Sequence, residues 1–245
     1  MNGILHFQQL DSTNAYLAQL LQRKNHAKGE ALPDGMAVLA DYQTAGRGRQ
    51  TNCWHSKRAK NLLMSILVFP DIPVAEQFRV TEWISVALAD HLHQDVGLES
   101  CIKWPNDIYI GDRKIAGILI SHHWSGTDID SSIIGIGLNL NENNFPTHLP
   151  NPTSVIIETG KRSVPADTAA VILARLSETR KEEPSKLHER YLRLLYRRNR
   201  TATYLDIGTG SCFEGEIIGV TTQGLLEIRC GSTTRHFALN EIAYR

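Results

Sequence analysis

The distribution of apolar and polar positions along the chain predicts a protein that contains both strands and helices. Short apolar runs bounded by glycine, proline or polar turn residues predict buried strands at Met36 to Asp41, Leu62 to Phe69, Ile102 to Ile110, Lys114 to Ser121 and Ile133 to Leu140. Gly111-Asp112 separates two of these runs and is typical of a β-hairpin turn.

Apolar residues that recur at helical spacing predict four helices, one before these strands, one among them and two after them. Ser12 can cap the first helix, which we expect to end near Gly29. The others are predicted at Glu76 to Val96, Pro165 to Thr179 and Pro184 to Asn199. Together the elements predict an α+β fold, a mixed β-sheet with flanking helices.

The pattern changes after Asn199. From Thr201 onward, short alternating runs separated by glycines predict a small β-barrel. We therefore expect two domains, residues 1–199 and residues 200–245.

The composition of the chain argues against several classes of partner and site. The 26 basic and 26 acidic residues cancel to a formal net charge of zero, which argues against a general polyanion partner such as nucleic acid. The four cysteines are widely spaced and form no metal-binding or disulfide pattern, which favours free thiols in a reducing cytoplasm. No apolar segment has the length of a membrane helix, so we expect no membrane partner.

The polar segment Tyr42 to Asn61 is unusually long for a connection between two strands. Ordinary connections are a few residues, and longer ones are commonly functional. It contains Gly46-Arg47-Gly48-Arg49, in which glycines let the backbone approach a ligand and guanidiniums offer planar donors to anionic oxygens. Taken alone, the same residues would equally suit a solvated loop or an arginine-glycine nucleic-acid binder.

Two further segments carry candidate chemistry. The sequence Lys103-Trp104-Pro105-Asn106-Asp107 precedes the hairpin and Lys114 follows it, so the two lysines could reach one side of the sheet. Gly117 inside a strand indicates that something approaches the backbone closely, and a ligand is one candidate. Gly135 to Asn139 (GIGLN) ends in an amide that could read a base edge. The alternatives are a surface hairpin lysine and a twisted strand that ends in an asparagine turn.

In order along the chain, Asp11-Ser12-Thr13-Asn14, the GRGR loop, KWPND, Arg113 to Leu119 (RKIAGIL) and GIGLN resemble the catalytic domain of biotin protein ligases. Five motifs in one order make a specific match, which spans roughly Ser12 to Asn139. The C-terminal β-domain is similar to the SH3-like domain of that family. The resemblance implies the catalytic fold shared with class II aminoacyl-tRNA synthetases and lipoate ligases.

The resemblance also implies a reaction and its participants. Biotin would be activated with ATP and Mg²⁺ to biotinyl-5'-AMP, and then transferred to a lysine on the biotin carrier domain of a biotin-dependent carboxylase. The residues implied to surround biotin are Ser12, Thr13, Asn14, Gln43, Gly46, Arg47, Gly48, Arg49, Lys114 and Gly117. Those implied to surround ATP are Arg49, Trp54, Lys103, Asn106, Asp107 and Asn139.

Four of these residues, Arg47, Arg49, Lys103 and Lys114, are implied to be catalytic. Lys114 would contact the biotin carboxylate and then the acyl oxygen of the adenylate, where charge develops. The resemblance places Lys103 near the ATP phosphates, and it leaves two roles open for Asp107, a metal ligand or a base.

The sequence departs from the common family pattern at Gln50-Thr51-Asn52, which replaces a second glycine-arginine pair. A weaker hold on the adenylate is one hypothesis for this change. The chain also starts at the first motif, so we expect no N-terminal helix-turn-helix domain and no role in transcription. A monomer or weak homodimer is expected.

Two rival functions stay open. A lipoate ligase shares the chemistry but usually has a different arginine and glycine signature. A nucleic-acid-binding module could use GRGR together with the basic face of the last helix (Arg190, Arg193, Arg197, Arg198 and Arg200), although such a face is more often simply solvated.

Overall fold

A computed structural model describes residues 3–26, 31–49 and 52–245. In chain order, its elements are β1 Ile4–Phe7, α1 Thr13–His26, β2 Met36–Ala40, β3 Leu62–Val68, α2 Phe78–Asp90, β4 Cys101–Lys103, β5 Asp107–Ile110, β6 Arg113–Ser125, β7 Asp128–Leu138, α3 Val155–Thr159, α4 Pro165–Thr179, α5 Pro184–Arg193, β8 Thr201–Asp206, β9 Cys212–Val220, β10 Leu226–Cys230, β11 Thr233–Phe237 and β12 Ile242–Tyr244. A π-helical segment, His91–Val96, continues α2. The predicted end of the first helix near Gly29 lies outside the described residues.

The first seven strands form one sheet in the order β1-β2-β3-β7-β6-β5-β4. The β1 and β2 strands are parallel and all other neighbours are antiparallel. This confirms the predicted mixed sheet with flanking helices. The hairpin at Gly111 is also confirmed, since Gly111 adopts a φ of 56° between β5 and β6.

Helices cover both faces of this sheet, which explains why β3 is apolar at nearly every position. On one face, Leu17 and Leu21 of α1 pack against Val38, Leu67 and Ile133. On the other face, α2, α4 and α5 share a larger core with the alternate residues of the strands.

The face beneath α1 changes character where that helix begins. Leu67 pairs with Ile133 under the helix, whereas two residues along the strands Ser65 pairs with Gly135. Residues two apart in a strand share a face. Small and polar side chains therefore leave an open floor beyond the start of α1, and this floor positions the candidate site.

Two sequence predictions need correction, and one short helix was missed. The run 102–110 is not one strand, because Trp104-Pro105-Asn106 turns the chain between β4 and β5 and the two strands pair with each other. Proline cannot donate to a sheet ladder, which accounts for the break. The helix predicted to reach Asn199 ends at Arg193, and the short helix α3 was not predicted.

The C-terminal segment forms a five-stranded antiparallel sheet in the order β11-β10-β9-β8-β12. This second sheet agrees with the predicted C-terminal β-domain. Its side chains Tyr204, Ile217 and Phe237 belong to the same apolar core as the larger sheet. The division into domains between residues 199 and 200 stays a prediction.

The basic face of α5 is partly neutralised. Arg190 binds both carboxylate oxygens of Asp90, at 2.6 and 2.7 Å, and also pairs with Glu182.

Within the described chain, none of the helices has the length and apolar character needed to cross a membrane.

A buried ion pair should make the stability of this helical layer depend on pH. His188 Nδ1 lies 2.6 Å from a carboxylate oxygen of buried Glu82, and this hydrogen bond raises the pKa of His188 above its ordinary value. A histidine with a raised folded-state pKa stabilises the fold below its unfolded pKa, and this contribution is lost as the pH rises through the folded pKa. We therefore expect His188→Gln to destabilise the protein more at about pH 5.5 than at about pH 8.5.

Urea denaturation of both proteins at the two pH values measures this difference. His91 provides a control of opposite sign, because burial lowers its pKa and its neutral form is therefore favoured by folding. For His91→Gln the loss should be smaller at the lower pH, and equal pH dependence in the two variants would contradict the assignment.

Candidate active site

A cavity of about 260 Å³ opens on the floor beyond α1. Its lining joins the first residues of α1, the loop between β2 and β3, and the middle strands β3, β6 and β7. Of the residues proposed from sequence, it is lined by Ser12, Thr13, Asn14, Gln43, Arg47, Gly48, Arg49, Trp54, Asn106, Asp107, Lys114 and Gly117. Gly46, Lys103 and Asn139 are not among its lining residues.

One part of the cavity is a network of uncharged polar groups at the start of α1. The Gln43 side-chain oxygen accepts hydrogen bonds from the Thr13 backbone N–H at 2.7 Å and from its hydroxyl at 3.1 Å. The Thr13 hydroxyl also bonds to the Ser65 hydroxyl at 2.7 Å. Because Thr13 and Ser65 are buried, this network is fixed before any ligand enters.

Ser65 was missed at the sequence level, although one signal was available. It is the lone polar residue in the apolar run Leu62 to Phe69. A polar residue inside a buried strand needs a hydrogen-bond partner, and here that partner is Thr13.

Another part of the cavity is charged. Lys114 Nζ lies 2.7 Å from a carboxylate oxygen of Asp107. Arg49 donates hydrogen bonds to the side-chain oxygens of Asn106, at 3.3 Å, and of Asn240, at 3.2 Å. Burial lowers the pKa of Arg49, while the nearby Asp107 carboxylate acts in the opposite direction. Asn240 comes from the C-terminal sheet region and was not predicted.

Strand register fixes how far apart these two parts lie. The row Ser65, Gly135 and Leu119 underlies the uncharged network, and a Cβ added to Gly135 would meet the Asn14 amide at 2.7 Å. The next row on the same face contains Gly137 and Gly117, beside Lys114. Two residues along a strand span about 7 Å, so an uncharged hydrogen-bonding region and a cationic region are separated by about that distance.

Trp54 lies directly on the two floor glycines. A Cβ at Gly137 would be 2.3 Å from the indole ring, and one at Gly117 would be 3.0 Å from it. The sequence predicted that some group approaches Gly117 closely, and in the structure that group is the indole ring of Trp54. Close approach of a ligand to Gly117 stays a prediction. The indole Nε1 is buried and has no hydrogen-bond partner among the described residues.

We expect Gly137→Ala to weaken the site strongly, because its methyl group must displace the Trp54 ring or intrude into the cavity. Overpacking of this kind costs about 1–3 kcal/mol of folding free energy. If this cost falls on the substrate-bound form of the site, kcat/KM for the first chemical step decreases by roughly 5- to 160-fold. Gly3→Ala is the matched control, since nothing lies within 4 Å of its added Cβ. Steady-state rates of the two variants decide the point, and equal rates would contradict it.

The three proposed residues outside the lining have other surroundings. The Trp54 N–H donates a hydrogen bond to the Gly46 carbonyl at 3.0 Å, and a Cβ at Gly46 would lie 2.7 Å from the Trp54 carbonyl. Gly46 therefore lets the backbone segments at Gly46 and Trp54 approach each other within the loop. Asn139 is buried and donates its side-chain N–H to the Thr153 carbonyl at 2.9 Å. Lys103 lies in an adjoining compartment of about 350 Å³ that shares Arg49 and Asn240 with the main cavity.

The described part of the departure from the family pattern is Asn52. It lines the cavity, and its carbonyl accepts a hydrogen bond from the Gly48 N–H at 2.8 Å. Gln50 and Thr51 lie outside the described residues, so the hypothesis of a weaker hold on an adenylate stays a prediction.

The residues present suit a phosphate-bound magnesium ion better than a metal held by protein alone. Among the described residues that line the cavity, Asp107 supplies the one carboxylate, and no group of three metal-binding side chains occurs in the described chain. Mg²⁺ commonly takes one or two carboxylates and fills its remaining positions with phosphate and water oxygens.

Comparison with known proteins places the same region in a family. Residues 6–139 match the family described as Biotin/lipoate A/B protein ligase family. The chain is 37% identical over 142 residues to the bifunctional ligase/repressor BirA of Bacillus subtilis, which covers 57% of this chain and 43% of that protein. It is 28% identical over 180 residues to biotin--[acetyl-CoA-carboxylase] ligase of Mycobacterium tuberculosis, covering 70% and 61%. The match thus spans about half the length of these curated relatives.

The fold has a solved counterpart along its whole length. The biotin protein ligase of Aquifex aeolicus, determined in complex with biotin and ATP, superposes with a TM-score of 0.79. The superposition covers 100% of this chain and 99% of the other, at 22% sequence identity. At this identity the likeness shows the fold.

Proposed function

This chain belongs to the biotin/lipoate A/B protein ligase family, and from that premise we propose that it is a biotin protein ligase. In the proposed reaction, biotin and ATP form biotinyl-5'-AMP and pyrophosphate, and the biotinyl group then passes to a lysine of a biotin carrier domain. The ligands named for the Aquifex aeolicus structure, biotin and ATP, support the choice of substrates.

The observation that carries the proposal is the division of the cavity into two regions about 7 Å apart along the strands. Biotin has an uncharged ureido ring, an aliphatic chain and a carboxylate at its far end. The network of Thr13, Gln43 and Ser65 suits the ureido ring. The Trp54 ring, which covers the floor glycines and lines the cavity, offers an apolar surface to the chain. Lys114 and Arg49 suit the carboxylate. Neutral hydrogen-bonding groups at one position and cations at the other favour this orientation over the reverse.

In the first step, a carboxylate oxygen of biotin attacks the α-phosphorus of ATP and pyrophosphate leaves. Both reactants are anionic, so the site must neutralise them before they can approach. We assign this task to Lys114 and Arg49, with Arg47 at the exposed rim of the cavity. Mg²⁺, when bound to the phosphates beside Asp107, would supply further positive charge.

The Lys114–Asp107 ion pair implies an exchange of partners. Lys114 Nζ is 2.7 Å from Asp107, and a biotin carboxylate would compete for the same ammonium group. Binding would thereby release the Asp107 carboxylate for its second role. That role, a magnesium ligand or a base, stays open between the two alternatives.

In the second step, the amine of the acceptor lysine attacks the acyl carbon and AMP leaves. The amine must be neutral, yet with a reference pKa of about 10.4 only roughly one in 10³ is neutral near pH 7. A released Asp107 carboxylate, the one carboxylate among the described residues that line the cavity, would be available to take the proton. Lys114 would stabilise the charge that develops on the acyl oxygen.

The partner and the compartment belong to the same proposal. The name biotin--[acetyl-CoA-carboxylase] ligase, given to the Mycobacterium tuberculosis relative, supports the carrier domain of a biotin-dependent carboxylase as acceptor. All four cysteines are free thiols, which supports the expected cytoplasmic location.

The test is mass spectrometry of a purified biotin carrier domain incubated with this protein, biotin, ATP and Mg²⁺. We expect a mass gain of one biotinyl group that requires ATP and disappears when the acceptor lysine is changed to arginine. A gain with lipoate but not with biotin would instead identify a lipoate ligase. No gain with either, together with salt-sensitive binding to a generic oligonucleotide, would favour the nucleic-acid module.

A further inference from the structure

Lys103, in the compartment beside the main cavity, is surrounded by three tyrosine rings from three different parts of the chain. Its Nζ lies 4.9 Å from the ring centre of Tyr109 on β5, 6.0 Å from that of Tyr196 after α5, and 4.7 Å from that of Tyr244 on β12. It also donates a hydrogen bond to the Tyr109 hydroxyl at 3.3 Å. An ammonium group within about 6 Å of a ring centre is attracted by the electron-rich face.

These rings hold Lys103 without neutralising it. Burial raises the pKa of Tyr109 and of Tyr244 well above the ordinary range, so both remain uncharged phenols. Within the described chain, Lys103 forms no ion pair with a carboxylate, in contrast to Lys114 and its Asp107 partner. The three rings therefore fix the position of a cation and leave its charge available to an anionic ligand.

The cage also joins the two sheets of the protein. Tyr244 belongs to the C-terminal sheet, and its ring packs against Tyr196 at 6.1 Å and Tyr204 at 5.6 Å between centres. Lys103 and Tyr244 both line the compartment that shares Arg49, Asn106, Asp107 and Asn240 with the main cavity. A ligand that extends from the main cavity past Arg49 thus reaches Lys103.

We propose that Tyr109, Tyr196 and Tyr244 form an aromatic cage that positions Lys103 as an unpaired cation for the phosphates of ATP, so that Tyr244 of the C-terminal sheet is a positioning residue for nucleotide binding. This inference rests on the proposed function for the identity of the phosphate ligand. A lysine held by ring faces need not break an ion pair before it binds phosphate, so less rearrangement of the site accompanies binding. Lys103 is half-buried, so water screens its attraction to an anion less than it would at the surface.

Tyr244 offers a matched pair of variants. Its hydroxyl is buried and has no hydrogen-bond partner among the described residues, so Tyr244→Phe keeps the ring face and loses no contact. Tyr244→Leu keeps an apolar side chain but removes the face. Tyr204→Leu is the structural control, because Tyr204 is fully buried against Tyr244 and no contact joins it to Lys103 in the described chain.

The experiment is calorimetric titration of MgATP, and separately of biotin, into wild-type protein and the three variants, with thermal melts to verify folding. For Tyr244→Leu we expect ATP binding weaker by roughly 3- to 30-fold, the range for loss of one cation–π contact, with biotin binding unchanged. Tyr244→Phe should match the wild type for both ligands. Unchanged ATP affinity in folded Tyr244→Leu, equal losses of ATP and biotin affinity, or an equal ATP loss in Tyr204→Leu would overturn the cage.

Carrier labelling by the same proteins separates this inference from the proposed function. Normal labelling of the carrier together with equal ATP affinity in all variants would contradict the aromatic cage and support the proposed ligase function. If the ATP affinities follow the expected pattern but no carrier is labelled, the aromatic cage is supported and the ligase function is contradicted. Absence of ATP binding by the wild-type protein would contradict both proposals. Should leucine at position 244 prevent folding, Tyr109 provides a second test. Tyr109→Phe loses the hydrogen bond from Lys103 but keeps the ring, so a further loss of ATP affinity in Tyr109→Leu measures the contribution of the ring, and equal affinities in the two variants would overturn the cage.

Discussion

Replacing Lys114 by alanine is expected to lower biotin-dependent pyrophosphate release by about 10²- to 10³-fold, the usual effect of removing one group that stabilises developing charge. Lys114 Nζ lies over the glycine floor, 3.4 Å from where a Cβ on Gly117 would be, and 2.7 Å from Asp107. Its loss would leave the carboxylate of biotin with Arg49 but without its nearer cation at the floor glycines, and would leave Asp107 without its ion-pair partner. Initial rates of pyrophosphate release measure the effect.

The neighbouring residue supplies the control for this prediction. Arg113 carries the same charge and is one position away, but it pairs with Glu158 at 2.8 Å and does not line the cavity. Arg113→Ala should therefore keep a rate within a few-fold of the wild type, as is usual for an exposed ion pair. Similar losses in both variants would mean that Lys114 acts through the stability of the hairpin.

The second large effect is expected at Arg49. Arg49→Ala should lower the rate of adenylate formation by about 10²- to 10³-fold, and Arg49→Lys should recover little of it. The reason is geometric, because the planar guanidinium bonds to Asn106 and Asn240 with two different nitrogens, and a lysine ammonium cannot reproduce that fork. Single-turnover measurement of biotinyl-5'-AMP formation follows this step directly.

Arg58 is the control within the same loop. Its guanidinium donates to the Gln8 carbonyl at 3.0 Å and to the Gln9 side chain at 2.6 Å, and it lies over the Tyr42 ring rather than in the cavity. Arg58→Ala should therefore leave adenylate formation within a few-fold of the wild-type rate. Full activity of Arg49→Lys would show that Arg49 contributes only charge, and would contradict the assigned geometry.

Local sequence was sufficient for most secondary-structure elements. Buried strands in a sheet covered on both faces are apolar at nearly every position, and amphipathic helices repeat every three or four residues, so both patterns are visible without the fold. The prediction was wrong where a strand contained Trp104-Pro105, because an apolar run does not reveal that proline interrupts the ladder. It also extended the helix at Pro184 past Arg193, where apolar residues continue at helical spacing although the helix has ended.

Part of the candidate site was also predicted from the sequence. Motif residues that lie on one strand or one loop, such as Gly117 and Lys114, line the cavity as expected. Lys103 was expected to reach the same side of the sheet as Lys114, and the register places it in one row with Asp107 and Gly117. It lies two strands out from Gly117, however, and lines the neighbouring compartment. Ser65 was hidden within an apolar strand, since nothing local indicates which polar group will lie opposite it.

The sequence by itself determined the family resemblance, the mixed sheet with its helices, and most of the residues that line the cavity, because these depend on motif identity and on short-range periodicity. Only the tertiary structure decided which groups meet across long stretches of chain. Asn240 reaches Arg49, and Tyr244 reaches Lys103, from a sheet that begins at Thr201. Such contacts are set by strand register and by the packing of one sheet against another, and neither property is written in the pattern of any single segment.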